Sequence, residues 1–172
     1  TLPAHASLFT GLPPTTHRAI LRKDPWLDGQ LVTLAEHLGA QGWETYAWTS
    51  NPYVYTTSNV LQGFQTVDDP LLHERWRDLA IQTTVDCLHP EDRSSLASPK
   101  HPKRIAPPTK NAGEAAHVAL VDWLETRRDD ERPFFAFLNY MEAHTPRTPC
   151  PESRAAIFGD DDELQQLALE TI

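Results

Sequence analysis

The chain has 172 residues, 40% of them hydrophobic, and 24 acidic against 15 basic side chains give it a formal charge of −9. That length suits one domain with a substantial core, and the apolar content excludes a disordered chain. The acidic surplus excludes the usual electrostatic route to nucleic acid or an anionic membrane surface, and no apolar run approaches the ~18 residues of a membrane span.

From the N-terminus, Pro3 to Thr10 reads as a short helix. Proline is tolerated in its first turn and Gly11 supplies a left-handed stop. The proline-rich LPPTTHRAILRKDPWLDGQ that follows is expected to be loop. In LVTLAEHLGAQG, Leu31, Leu34, Ala35 and Leu38 share one helical face, and Gly39 or Gly42 ends it. WETYAWTS alternates in the manner of a strand, and NPYVYTTSNVLQGFQTVDD reads as loop. PLLHERWRDLAIQTTVDCL is expected to be helical with Pro70 in its first turn. The five prolines of residues 89–110 mark a long exposed loop. Asn111 and Glu114 have capping-box spacing before the helix AGEAAHVALVDWLETRR, whose closing arginines suit its negative end. FFAFLNYM is a nearly continuous apolar run and reads as a central parallel strand covered on both faces. GDDDELQQLALETI reads as an acidic helix start followed by an apolar face. The acidic run Asp160–Glu163 follows from that helix start, since helix N-termini favour Asp and Glu, and no EF-hand spacing is present.

Cys87 and Cys150 show no metal-ligand spacing and are read as free thiols. No signal-peptide pattern is visible, and the compartment stays open with a lean to the cytoplasm. Helix–strand alternation twice over predicts an α/β fold with helices on the faces of a parallel sheet. Chemistry in such sheets gathers beyond the carboxyl ends of the strands. Ser50-Asn51 and Glu142-Ala143-His144 are the two strand ends that qualify.

The opening TLPAHASLFTGL resembles the signature of the sulfatase family within the alkaline phosphatase superfamily. That signature runs Cys or Ser, any residue, Pro, a small residue, a polar residue, then Ala-Ser-Leu and Thr-Gly. LAEHLGAQGWETYAW is similar to the family's helix–strand unit. SNPYVYTTSNVLQGFQTVDD resembles its Asn-containing loop, and PFFAFLNYMEAHTPRTP its strand and His-x-Pro loop. Residues 89–110 have no counterpart in the family. The resemblance implies a partial three-layer α/β/α sandwich, alkaline phosphatase-like, with a mostly parallel sheet. It also implies that residues 1–172 are a fragment of one catalytic domain, expected to be inactive alone. The first strand with two metal-binding Asp residues would lie before Thr1, and a second metal-binding pair would lie after Ile172.

By that resemblance Thr1 takes the nucleophile position and is a ligand of a divalent cation (Ca, Mg, Mn or Zn) whose other ligands lie elsewhere. A neutral hydroxyl needs such an ion to lower its pKa, and the helix N-terminus would attract an anionic ester. The alternative is that Thr1 only caps the helix. His144 would contact a substrate oxygen or protonate the leaving group. His5 stands where many relatives carry Arg and would bind substrate with one hydrogen bond instead of a fork; a structural histidine is the alternative. His17 parallels the family's His-Gly, with Arg18 in place of Gly. Asn51 replaces a Lys that relatives place near the substrate.

Dedicated sulfatases convert Cys or Ser to formylglycine, which Thr cannot become. The implied activity is therefore hydrolysis of sulfate or phosphate esters, on a small-molecule, glycan or lipid substrate. A phosphodiesterase or phosphoglycol/phosphoethanolamine-type transferase is the nearest alternative. An N-terminal threonine hydrolase would need a β-sandwich core, and an inactive binding module is the non-enzymatic reading.

Overall fold

The computed structural model describes residues 1–20, 25–70, 72–87, 112–142, 150–159 and 163. The proline-rich 89–110, Asn111, His144 and most of the C-terminal acidic segment lie outside them. The fold is α/β, and the described residues divide into two compact units: Thr1–Asp69 with Val118–Asn139, and Pro70–His117 with Tyr140–Ile172.

In the first unit, α1 (Leu2–Thr10) buries Leu2, Ala6 and Phe9, spaced as one helical face requires. Burying side chains the size of Leu2 and Phe9 stabilises by roughly 1.5–3 kcal/mol each. Gly11 ends the helix at φ 68°, its N–H on the Ser7 carbonyl at 2.9 Å. The segment expected to be loop contains a four-residue helix, α2 (Pro14–His17), which starts on a proline whose missing N–H costs nothing there.

Helix α3 (Leu34–Ala40) begins three residues later than Leu31, because Thr33 closes a capping box. Thr33 Oγ1 accepts from the Glu36 N–H at 3.2 Å, and Glu36 Oε2 accepts from the Thr33 N–H at 2.8 Å. Gly63 packs against that first turn at φ 88°. A Cβ added there would meet the Glu36 nitrogen at 2.5 Å, so both backbone angle and space demand glycine.

Strand β1 (Glu44–Thr49) lies between β2 (Thr66–Asp68) and β3 (Phe134–Asn139), parallel to both. The register sets Tyr46 beside Thr66 and Ala136, and Thr49 beside Asn139. β2 was not expected: three residues inside a turn-rich segment carry too short a pattern to separate strand from loop. Among the described strands the central position falls to β1 and not to β3. β1 is buried almost throughout, whereas β3 is half-buried with Phe134 42% exposed.

The two faces of this sheet carry different helices. Ala47, Val67, Phe135 and Phe137 share a cluster with Leu2, Ala6 and Phe9 of α1. On the opposite face Tyr46 stacks on Trp123 of α5 (Gly113–Thr126), ring centroids 4.8 Å apart. Helix, sheet and helix form three layers here.

At the start of the sheet the Arg127 guanidinium is held on all sides. Its Nε donates to Glu44 Oε2 at 2.9 Å, its Nη2 donates to the Arg132 carbonyl at 2.7 Å, and it lies over the Trp123 and Phe134 rings. Arg127 thus fastens β1 and β3 to the end of α5.

In the second unit, α4 (Glu74–Asp86) buries Trp76, Ala80, Thr83 and Thr84. Pro70 lies before it instead of in its first turn, because His73 is extended at φ −105°, ψ 111°. The first turn of α5 receives its acceptor from Glu142, whose Oε1 accepts from the Gly113 N–H at 2.6 Å. Helix α6 (Pro151–Phe158) was not expected. Cys87 and Cys150 form a disulfide, their Cα atoms 4.2 Å apart and 63 residues apart in sequence, which corrects the free-thiol reading. Spacing rules detect local metal sets and are blind to a pairing this distant. In the chain-entropy picture, closing such a loop stabilises by about 4 kcal/mol.

Two measurements check this packing. Arg127→Ala leaves Glu44 partly buried beside one remaining arginine and is expected to cost about 3 kcal/mol in denaturant unfolding. A loss below ~1 kcal/mol would show the clamp to be incidental. Burial, reinforced by the Asp68 carboxylate that accepts its hydroxyl at 3.1 Å, keeps Tyr46 protonated far above its ordinary value of 10.0. The unfolded chain releases that proton near pH 10 and the folded one does not, so stability is intact below about pH 10 and falls as pH rises further. Tyr46→Phe is expected to flatten that alkaline decline, and an unchanged slope would assign it to other groups.

Candidate active site

The carboxyl ends of β1 and β3 lie side by side, and the N-terminus of α1 is tied to them. Thr1 occupies the N-cap position of α1 and is exposed, and its hydroxyl makes no capping hydrogen bond. The His5 N–H instead donates to the Thr1 carbonyl at 3.1 Å, and His5 Nδ1 reaches the same carbonyl at 2.9 Å. A carbonyl only accepts, so Nδ1 carries a proton. His5 Nε2 then accepts from Asn139 Nδ2 at 3.3 Å. The His5 ring is wedged edge-on against Phe137, centroids 5.9 Å apart. One side chain of α1 thus joins the start of its own helix to the end of β3.

Two buried polar atoms at this rim have no hydrogen-bond partner among the described residues: Ser50 Oγ, just past β1, and Asn139 Oδ1, at the end of β3. A buried group of this kind costs about 1–3 kcal/mol when left unmet. Asn139 was missed in the sequence. The signal available was one amide closing an otherwise apolar strand, FFAFLN.

Asn51 is buried and organises the turn that leaves β1. Its N–H donates to Thr49 Oγ1 at 3.1 Å, its Oδ1 accepts from the Tyr53 N–H at 3.0 Å, and its carbonyl accepts from the Val54 N–H at 3.0 Å. Beyond it, Leu2, Pro25, Pro52, Tyr53, Tyr55, Thr57 and Ser58 enclose a cavity of about 140 Å³. Leu2 is the residue next to Thr1, so this apolar hollow adjoins the N-terminus of α1.

His17 is placed elsewhere. It is buried, Nδ1 accepts from the Ala19 N–H at 3.1 Å, and Nε2 faces Ser7 Oγ at 3.0 Å. Ser7 is six positions along α1 from Thr1, about 9 Å of helical rise. The structure therefore brings Thr1, His5 and the end of β3 together, sets Asn51 at the end of β1, and sets His17 against the second half of α1. His144 lies outside the described residues.

Among the described residues no group of three or more His, Cys, Asp or Glu could hold a metal ion. These residues do not by themselves form a cage for the divalent cation, and Thr1 supplies at most one ligand. Among the same residues no helix is long and apolar enough to cross a membrane.

No family model matches this chain, and no curated protein matches it. Among solved structures it is similar to the phosphonate monoester hydrolase of Agrobacterium radiobacter, with 22% sequence identity and a TM-score of 0.53. The match covers 89% of this chain and 34% of that one, so the chain spans about a third of that enzyme's length. What the likeness shows is a shared fold.

Proposed function

We propose that the chain carries the nucleophile end of a sulfatase-like hydrolase of sulfate or phosphate esters, with Thr1 as the attacking group. The observation that carries this reading is the free Thr1 hydroxyl, which leaves its helix uncapped at the carboxyl rim of a parallel sheet. An N-cap Thr would ordinarily spend that oxygen on a backbone N–H. The signature-like TLPAHASLFTG and the shared fold with a phosphonate monoester hydrolase support it.

Each residue then has a chemical task. The first turn of α1 offers backbone N–H groups and the positive end of the helix dipole to an anionic ester. His5 fixes the Thr1 carbonyl and so the direction in which the Thr1 side chain leaves the helix. His144 would meet a substrate oxygen or protonate the leaving group, and Asn51 belongs to the proposed substrate-binding set; His17, expected there from the resemblance, has both ring nitrogens engaged on Ser7 and Ala19 and stands outside it. A divalent cation, with ligands other than Thr1 drawn from beyond the described residues, would lower the pKa of the hydroxyl.

Phosphoryl chemistry is favoured over sulfuryl chemistry. Thr cannot become formylglycine, so its ester must be released by attack of water or an acceptor alcohol. The structural neighbour is also, by its description, a phosphonate monoester hydrolase.

The full-length protein that contains this chain, assayed with Mg²⁺, Mn²⁺, Ca²⁺ or Zn²⁺ on 4-nitrophenyl phosphate, 4-nitrophenyl sulfate and a phosphonate monoester, is expected to turn over the phosphorus esters fastest, whereas residues 1–172 alone are expected to show no hydrolysis. Thr1→Ala should lower kcat/KM by roughly 10³-fold or more, the order lost when a covalent nucleophile is removed. Unchanged turnover in Thr1→Ala would overturn the assignment, and no turnover with any metal would favour a binding module.

A further inference from the structure

Arg18 sits in a backbone conformation that arginine does not favour. It closes α2 at φ 59°, ψ 4°, in the left-handed region, where a Cβ is penalised and glycine is not. Its N–H donates to the Pro14 carbonyl at 3.0 Å, a bond that any residue other than proline supplies. The cap therefore explains the conformation but not the choice of arginine. Asn59, the other described non-glycine at positive φ, is of a type that tolerates it, and its amide is used, donating to the Leu27 carbonyl at 2.9 Å. The Arg18 side chain is exposed and makes no ion pair or hydrogen bond among the described residues. Strain kept for no packing gain is grounds for seeking a ligand.

The surroundings supply one. Arg18, Thr16, His17, Trp26, Asp28 and Leu31 line a cavity of about 420 Å³, within the range of small-molecule sites, roughly 300–1,000 Å³. Trp26 is 48% exposed, an indole left available by the core. The polar walls are held in place. Both His17 ring nitrogens are engaged, by Ala19 and Ser7, and Asp28 Oδ1 accepts from the Gln30 N–H at 3.0 Å.

We propose that this cavity binds a small carboxylate carried on a hydroxylated six-membered ring. The Arg18 fork pairs with the carboxylate, the ring lies against Trp26, and Asp28 with the Thr16 hydroxyl takes the ring hydroxyls. An anion without a ring leaves Trp26 idle, and an aryl acid leaves Asp28 desolvated without a donor. The site borders the second half of α1 through the His17–Ser7 contact and uses no group of the Thr1 rim, so it stands whether or not Thr1 is a nucleophile.

Calorimetric titration of the protein with quinate, benzoate and acetate tests this. Quinate is expected to bind saturably, with benzoate weaker by about tenfold and acetate weaker still. Arg18→Gly should weaken quinate binding by about tenfold or more while its thermal midpoint stays level or rises, since glycine relieves the backbone. Trp26→Ala should weaken it several-fold. Benzoate binding as tightly as quinate overturns the assignment of ring hydroxyls to Asp28 and Thr16, and with it the proposal. Wild-type affinity in a folded Arg18→Gly, acetate binding as tightly as quinate, or no saturable binding of any of the three acids overturns the proposal.

Discussion

The constraint on which the first unit rests is the burial of β1 on both faces while it pairs in parallel on both edges. Such a strand has no solvent side, so its neighbours must align with it and its faces must be covered by helices. Parallel pairing then carries all the strand ends to one rim. Glu44 is clamped by Arg127 at one end of the sheet, and Thr49 stands beside Asn139 at the other. The rim follows from how the core is built.

Helix α1 connects that core to the rim. Leu2, Ala6 and Phe9 anchor its inner face, and His5, one position before Ala6, turns toward the end of β3. The bond from His5 to Asn139 carries the helix start to the rim, which is where the electrostatics of a helix N-terminus can act on an anion. The unmet Ser50 Oγ and Asn139 Oδ1 belong to the same rim. Native folds leave few such atoms, and those they leave deserve a physical reason. A substrate or a residue beyond those described would supply one here.

Much of this was legible in the sequence, and the failures have physical causes. The periodic α1, the α3 region, β1 and β3 announced themselves through side-chain spacing. The capping box Thr33–Glu36 is present in the letters TLAE, but the apolar run that begins at Leu31 obscures where the helix starts. β2 was hidden because three residues carry no period. Among the described strands β1 and not β3 holds the centre, because an apolar run reports potential burial, whereas the neighbours decide which strand receives it. The disulfide joined two cysteines 63 residues apart, and no local pattern encodes such a pairing. Thr1 and His5 stand out in the opening motif and Asn51 at the end of β1, yet the link of His5 to Asn139 required the register of β1 against β3.

Locating a bound oxyanion tests the role of Thr1 most directly. In crystals of the protein grown with a divalent cation and soaked in tungstate, the anomalous signal of tungsten is expected beside the Thr1 hydroxyl, at the start of α1 and next to the ends of β1 and β3. Tungsten bound elsewhere on the protein, with the Thr1 hydroxyl turned back onto the first-turn N–H groups of its own helix, would contradict it.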